Sequence, residues 1–565
     1  MQIADGRGFG IRISRRSDLT RSRAEASARL LPVWVLLAAI ALRVVPLLAR
    51  YPLHRDEALY GAWARLIASG ADPLLLTAWV DKPPLVIYLL AGSLRIFGAS
   101  DLALRLPGVI ASVACVGLIY GVTRQAYDRR AALLAATLCA VSPFAILFAP
   151  TAFTDPWLTL WLLASAWAAL AGKPFWAGVL LGLAVASKQQ GVLAAPLVLG
   201  LMAVRSTKET ESKTGAIHLR TFLVRRVLPA LAGFAVIFVP LTYWDSLRWA
   251  KRPSFWGRSL DTYGGLRLAG PDVWPSRLAA WANQTSYLYG GRYVTALILA
   301  VGLLPGVLAI RQRWAKNGAP LDFGQRVDVL LLTYLVGYLA LHVLLTFQTW
   351  DRYLLPVLPW IAILAARGLL TVWQGLGRGR WRTAAKLPAV LGLAGLLAWG
   401  SWMGLSGRLP VGSDHGAFDN LDRVVAFVRS RPANALVYHH SLGWYFDFYL
   451  FDAPQERPWW ENGWKLADLA NRVARDDSAN PANPAKGVGL RGAGLRGAGL
   501  RAQREQWLVL TGSEDPSTEG IPLALAGWGL VLREEQSINR RDRTRAFTIY
   551  QIVPANRAVQ GRRIP

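Results

Sequence analysis

Apolar residues run in long blocks separated by short polar connectors from residue 31 to about residue 404, and the blocks then stop. A helix needs roughly 20 apolar residues to cross the hydrocarbon core, and somewhat fewer when it is short. By that measure the pattern predicts membrane helices near 31–49, 104–123, 131–149, 156–171, 175–187, 191–204, 227–244, 293–310, 328–346, 353–370 and 387–404, with 175–204 readable as one broken helix. Past residue 405 the periodicity changes. LDRVVAFVRSRP at 421–432 has the spacing of an amphipathic helix, and ALVYHH, QWLVLTG, WGLVLRE and AFTIYQIV read as strands. Helix alternating with strand predicts a small α/β domain. Its interruption over 477–503, with the tandem RGAGL-RGAGL, predicts a flexible Gly-rich insert.

Composition strengthens this division. The chain is 53% hydrophobic with 25 Trp, and only 17% of its 565 residues are charged, which excludes an ordinary soluble enzyme of this length. The formal charge of +28 would suit nucleic acid if it were concentrated on one surface, but the basic residues fall in connectors between apolar blocks. No nucleic-acid partner is expected. Cys115 and Cys139 are the only cysteines; both fall inside predicted helices and give neither a disulfide framework nor a metal cluster. Residues 1–30 form a basic tail, and the apolar run that follows lacks a small-residue cleavage site, so it is expected to remain as the first membrane helix.

The charges also orient the helices. Arg124, Arg129 and Arg130, then six Lys/Arg against two Glu over 205–226, then Arg311, Arg313 and Lys316, and finally Arg367, Arg378, Arg380, Arg382 and Lys386 all fall on one side if the helices alternate. Positive residues favour the cytoplasmic side. A cytoplasmic N-terminus and eleven crossings therefore predict a bacterial inner-membrane protein whose 405–565 domain is periplasmic. The loop 245–290 breaks the bias, since it should lie outside yet carries Arg248, Lys251, Arg252, Arg258, Arg267 and Arg277 against three Asp. It reads either as headgroup anchoring or as an electropositive rim for a phosphate.

The outward loops then collect the unusual residues: HRDEALY and DKPPL within loop 50–103, RLPG at 105–108, TAFTDPW around 150–156, SKQQG at 187–191, and FQTWDRY at 347–353. Ionisable groups at a membrane face are functional candidates by default. A carboxylate there suits a general base, and Lys or Arg beside it suits a phosphate leaving group. Each also has a structural reading. Asp56 suits a helix cap, Asp155 before Pro156 suits the same, Lys82 suits a headgroup contact, and Asp351 and Arg352 suit each other. The outward tryptophans suit either sugar stacking or interface anchoring.

HRDEALYGAWARLIASG, then DKPPLVIYLLAGSLRIFG, then the Arg-Leu-Pro of ALRLPG resemble the first outer loop of polyprenyl-phosphate-sugar glycosyltransferases. These are the membrane-embedded GT-C enzymes related to protein O-mannosyltransferases and lipid A aminoarabinose transferases. TDPW and RYLLPVLPW are similar to later segments, so the resemblance covers roughly residues 30–370. It implies an α-helical polytopic membrane protein of the GT-C type, about 11–13 transmembrane helices, with the catalytic part over 31–404. It implies inverting transfer of a sugar from a polyprenyl-phosphate donor to a lipid, glycan or protein acceptor at the outer face. Asp56 would be the base or the carboxylate that orients the acceptor, Glu57 its support, and Asp155 the second acidic position. Lys82 would bind the donor phosphate, with Arg105 and Arg352 assisting. Asp81, Tyr60, His54, Trp350 and Asp351 are the remaining candidate substrate contacts. Asp81 departs from the Glu usual in the aminoarabinose branch, and SKQQG departs from the usual Lys-Gly at Lys188. A divalent cation stays open, because acids and His54 are close but no ligand spacing supports one. The rival functions are a lipid or small-molecule transporter or flippase and a catalytically silent scaffold. Transporters favour midplane charges and internal repeats, whereas these charges gather at helix ends on one side.

Overall fold

The computed structural model describes residues 30–555 except 50, 211–218, 316–317, 319, 376–379, 411, 413, 415, 480–503, 513–517 and 519. The basic tail expected over residues 1–30, apart from Leu30, and nearly all of the insert expected over 477–503 lie outside the described residues. The chain divides into two compact units, Met1–Ala49 with Ile67–Gly412, and Arg50–Leu66 with Ser413–Pro565.

The first unit is helical. Seven of the eleven expected apolar blocks are helices long and apolar enough to cross a membrane: α1 (Leu30–Leu48), α4 (Asp101–Ala126), the span Gln189–Thr207, α10 (Leu219–Arg248), α13 (Arg292–Ala315), α14 (Phe323–Leu344) and Lys386–Leu405 within α16 (Arg380–Leu405). The chain is an integral membrane protein with multiple spans. The other blocks are shorter or broken. Ser142 and Pro143 divide one into α5 (Arg129–Val141) and α6 (Pro143–Phe148), because proline cannot continue the helix before it. α7 (Asp155–Leu170), α8 (Pro174–Ser187) and α15 (Leu358–Gly375) complete the set. The 175–204 region is broken: after α8, Lys188 turns extended, a 3-10 segment runs Gln189–Ala194, and α9 (Ala195–Thr210) follows.

Three helices lie in stretches expected as loops: α3 (Leu85–Phe97), which starts directly after Pro84, and α11 (Phe255–Thr262) and α12 (Trp274–Thr285) inside loop 245–290. Helix packing within this unit relies on small residues at close backbone approaches. A Cβ at Gly178 of α8 would meet the Ala230 carbonyl oxygen at 1.8 Å, and one at Gly233 of α10 would meet that of Phe175 at 2.0 Å. The two glycines thus let α8 and α10 touch backbone to backbone. Away from the candidate site, Asp328 of α14 is buried and takes hydrogen bonds from Tyr127 Oη at 2.7 Å and Arg367 of α15 at 3.1 Å.

The second unit holds a four-stranded sheet of order β1-β2-β4-β3, with β1 (Leu436–His439), β2 (Gln506–Thr511), β3 (Leu530–Asn539) and β4 (Arg545–Pro554). β1 and β2 are parallel and the other pairings antiparallel. These are the four expected strands, and α17 (Leu421–Arg429) is the expected amphipathic helix. A parallel pair needs a long connection, here supplied by α18 (Gly443–Tyr449) and α19 (Gly463–Ala479). Leu436, Tyr438, Leu508 and Ile552 of the sheet pack with Leu466, Ala470 and, from α20 (Ile521–Ala526), Leu525. Most of α2 (Arg55–Ala68), which carries the RDEALY of HRDEALY, belongs to this unit together with His54.

Candidate active site

The site residues fall in both units. In the first, the turn TAFTDP delivers Asp155 to the start of α7, where the proline at the first turn fixes the entry. Asp155 Oδ1 accepts a hydrogen bond from Lys188 Nζ at 2.6 Å, and both side chains are at most 5% exposed. The break after α8 is what frees Lys188 to turn inward: its backbone is extended, and its ammonium lies 4.3 Å from the centre of the Tyr353 ring. Lys82 and Arg352 are close enough for their charges to act on Lys188. Arg352 is also buried, with its guanidinium 4.9 Å above the Phe153 ring.

Lys82 is buried and bonds Asp81 Oδ2 at 2.8 Å. Its ammonium also donates to the Tyr263 hydroxyl, which in turn donates to Asp81 Oδ2 at 2.8 Å. Gln189 Nε2 holds the Asp81 carbonyl at 2.7 Å. Lys82, Lys188 and Arg352 thus gather three cations close together beside Asp81 and Asp155, a grouping that suits an anionic ligand. Arg105 is buried in the second turn of α4. The nearby Gly108 is required by close approach, since a Cβ there would lie 2.2 Å from the Thr151 carbonyl oxygen.

Asp351 is used differently. Its Oδ1 accepts the Arg352 backbone N–H at 2.7 Å and its Oδ2 that of Gly412 at 2.8 Å, so the carboxylate braces a turn. Trp350 is exposed, with its indole N–H on Gln348. Three of the cations of loop 245–290 are bound to backbone carbonyls. Arg248 donates to the carbonyls of Leu75 and Ala78 and pairs with Asp245, and Arg252 donates to that of Thr77. Arg277 donates to those of His342, Leu345 and Phe347. They tie the loop to the backbone of neighbouring segments.

A cavity of about 280 Å³ opens among α12, α13, α14 and α15. Its walls are leucines and other apolar residues together with Trp281 and Tyr338. The Tyr338 hydroxyl bonds the Tyr353 carbonyl at 2.8 Å. The apolar cavity is thus one residue removed from the ring that Lys188 faces.

In the second unit, HRDE opens α2. Glu57 is 2% exposed and its Oε2 accepts the His54 backbone N–H at 2.9 Å, while Asp56 is half-buried with its backbone N–H on His54 Nδ1 at 3.0 Å. Tyr60 is buried against Trp63, ring centres 5.7 Å apart. Among the described residues no group of three His, Cys, Asp or Glu side chains could hold a metal ion.

Sequence reasoning set Lys188 aside because its motif departs from the usual one, and it passed over Tyr263, Gln189 and Tyr353. Tyr353 stood inside RYLLP and Gln189 inside SKQQG; Tyr263 carried no local signal.

The fold is found in solved structures. ArnT from Cupriavidus metallidurans in the apo state matches with a TM-score of 0.58 at 16% identity, over 91% of this chain and 97% of that one. The same protein bound to undecaprenyl phosphate matches with a TM-score of 0.57 at 14% identity, over 93% and 98%. The oligosaccharyltransferase AglB from Archaeoglobus fulgidus, in complex with an inhibitory peptide and a dolichol-phosphate, matches with a TM-score of 0.50 at 13% identity, over 89% and 72%. The fold of this chain is similar to that of ArnT over nearly the whole length of both chains. Residues 81–244, the segment that contains Lys82, Asp155 and Lys188, match the model of the dolichyl-phosphate-mannose-protein mannosyltransferase family. None of the curated proteins matches the sequence.

Proposed function

We propose that this protein transfers a sugar from a polyprenyl-phosphate donor to a lipid, glycan or protein acceptor at the outer, periplasmic face of the membrane, with inversion. The observation that carries the reading is the gathering of Lys82 and Arg352 around the buried Asp155–Lys188 pair, one residue from an apolar cavity. A phosphate joined to an isoprenoid chain has that pair of properties, and the bound ligands of ArnT and AglB are polyprenyl phosphates of this kind.

In this reading Lys82 and Arg352 hold the donor phosphate, with Arg105 assisting and Lys188 adding charge. Asp56 takes a proton from the acceptor hydroxyl or amine as that group attacks the anomeric carbon. The bond from that carbon to the phosphate oxygen breaks, and the departing phosphate keeps the electron pair, stabilised by the cations. Glu57, bonded to the backbone at His54, holds the start of α2, and Asp155 sets the position of Lys188.

The test is turnover by the full chain in lipid nanodiscs of a panel of undecaprenyl-phosphate-linked hexoses and pentoses, with envelope extract as the acceptor source. Release of undecaprenyl phosphate with label appearing in an acceptor is the expected result. Movement of intact donor across the bilayer without cleavage would overturn the reading in favour of a flippase.

A further inference from the structure

Asp414 stands just past the end of the last membrane helix and was not marked by any motif. Its Oδ1 lies 3.1 Å from His54 Nε2. Its Oδ2 accepts the Arg55 backbone N–H at 3.2 Å and the Tyr445 hydroxyl at 3.1 Å. Tyr445 is buried in α18, and the same hydroxyl lies 3.2 Å from the Leu53 carbonyl. One carboxylate therefore reaches HRDE through both the His54 ring and the Arg55 backbone.

The imidazole passes the constraint on. His54 Nδ1 receives the Asp56 backbone N–H at 3.0 Å, so Nδ1 must be unprotonated. The ring proton then sits on Nε2 and is donated to Asp414. An imidazole fixed by a carboxylate on one nitrogen presents its other nitrogen in a set direction. Burial pushes the Asp414 carboxyl above the usual carboxylate range, against the pull of His54 and Tyr445, as expected for a group enclosed by its partners.

We propose that Asp414 is a positioning residue for the Asp56–Glu57 carboxylate pair, acting through the His54 tautomer and the Arg55 amide. The inference rests on the reading that Asp56 serves the transfer.

The test compares Asp414→Asn, Asp414→Ala, Tyr445→Phe and Asp56→Asn in the full chain in nanodiscs, using the panel donor that the wild type turns over. Asp414→Ala should lower kcat by about 10- to 100-fold, with the donor KM within about twofold and faster hydrogen exchange confined to residues 54–58. Asp414→Asn keeps an acceptor for Nε2–H and should retain more activity. Tyr445→Phe leaves the carboxylate in place and should fall between wild type and Asp414→Ala. Wild-type kcat in Asp414→Ala overturns the proposal. So does a loss of kcat accompanied by exchange that rises throughout the domain, because that pattern marks general destabilisation. An inactive Asp56→Asn beside a fully active Asp414→Ala sinks the positioning alone, whereas a fully active Asp56→Asn sinks the role of Asp56.

Discussion

Lys188 Nζ and Asp155 Oδ1 are 2.6 Å apart at a site where neither side chain is more than 5% exposed. Removing one partner of a buried pair strands the other charge, at a cost of about 3–5 kcal/mol, whereas replacing both can be nearly neutral. Lys188→Met and Asp155→Asn should each lower the thermal midpoint in nanodiscs, and the double variant should recover most of that loss. Transfer should stay absent in all three. A double variant with full activity would reduce the pair to a structural clamp.

Lys82 separates donor binding from chemistry. Replacing it with Met removes a charge-assisted contact of about 1.5–3 kcal/mol, so undecaprenyl phosphate should bind about 10- to 100-fold more weakly. Equilibrium binding of the radiolabelled lipid measures this directly. Unchanged affinity would remove Lys82 from the phosphate site.

Asp56→Asn should act on the other side of the reaction. Loss of a general base costs about 10²- to 10⁴-fold, so kcat should fall by that range while undecaprenyl phosphate affinity holds. Chemical-quench turnover alongside the binding assay distinguishes this pattern from the Lys82 one.

The helices could be read from the chain because long apolar blocks have few alternatives in a membrane. The strands could be read because ALVYHH and AFTIYQIV show β-branched and aromatic runs between polar ones. The helix Leu85–Phe97 escaped notice because its 13 residues fall short of a span, although Pro83-Pro84 marked its start. The pairing of Lys188 with Asp155 joins residues 33 apart, and no local pattern records which distant carboxylate a buried lysine meets. The arginines of loop 245–290 looked like a charged surface. Arg248, Arg252 and Arg277 instead donate to backbone carbonyls, and the sequence does not say which carbonyls a folded arginine will reach. Nor does composition tell that HRDE would join the unit formed by the far end of the chain.

The C-terminal unit carries its own pH response. Burial lowers the His439 imidazole to about 4 from its ordinary 6.5, with the Arg457 carbonyl opposing the shift. Between those values the unfolded chain binds a proton that the folded one excludes, so the stabilisation is complete above the ordinary value and is lost as pH falls toward 4. The loss should reach up to ~3 kcal/mol. Hydrogen exchange of the Leu436–His439 amides at pH 7 and pH 5, corrected for intrinsic rates, should show it, and His439→Gln should flatten the difference. An equally steep response in that variant would assign it to other groups.

The α8–α10 contact gives a sharper packing test. Gly178→Val places carbon where the Ala230 carbonyl stands, 1.8 Å from the first added atom. The two helices must separate, and the folded yield after detergent extraction should drop severalfold. Gly117→Ala, with nothing within 4 Å of the added carbon, should leave the yield unchanged.

Arg55 and Asp414 stand 359 positions apart. A ribosome adding about 5–20 residues per second needs roughly 20–70 s to cover that interval. Until the later segment emerges, the HRDE stretch has been made but lacks the imidazole anchor and the amide contact that set its geometry. A chain released early would already contain Lys82, Asp155 and Lys188 yet would lack the anchor for its carboxylates. The geometry of the HRDE carboxylates therefore depends on a segment made long after them, and chains truncated before Asp414 should lack it.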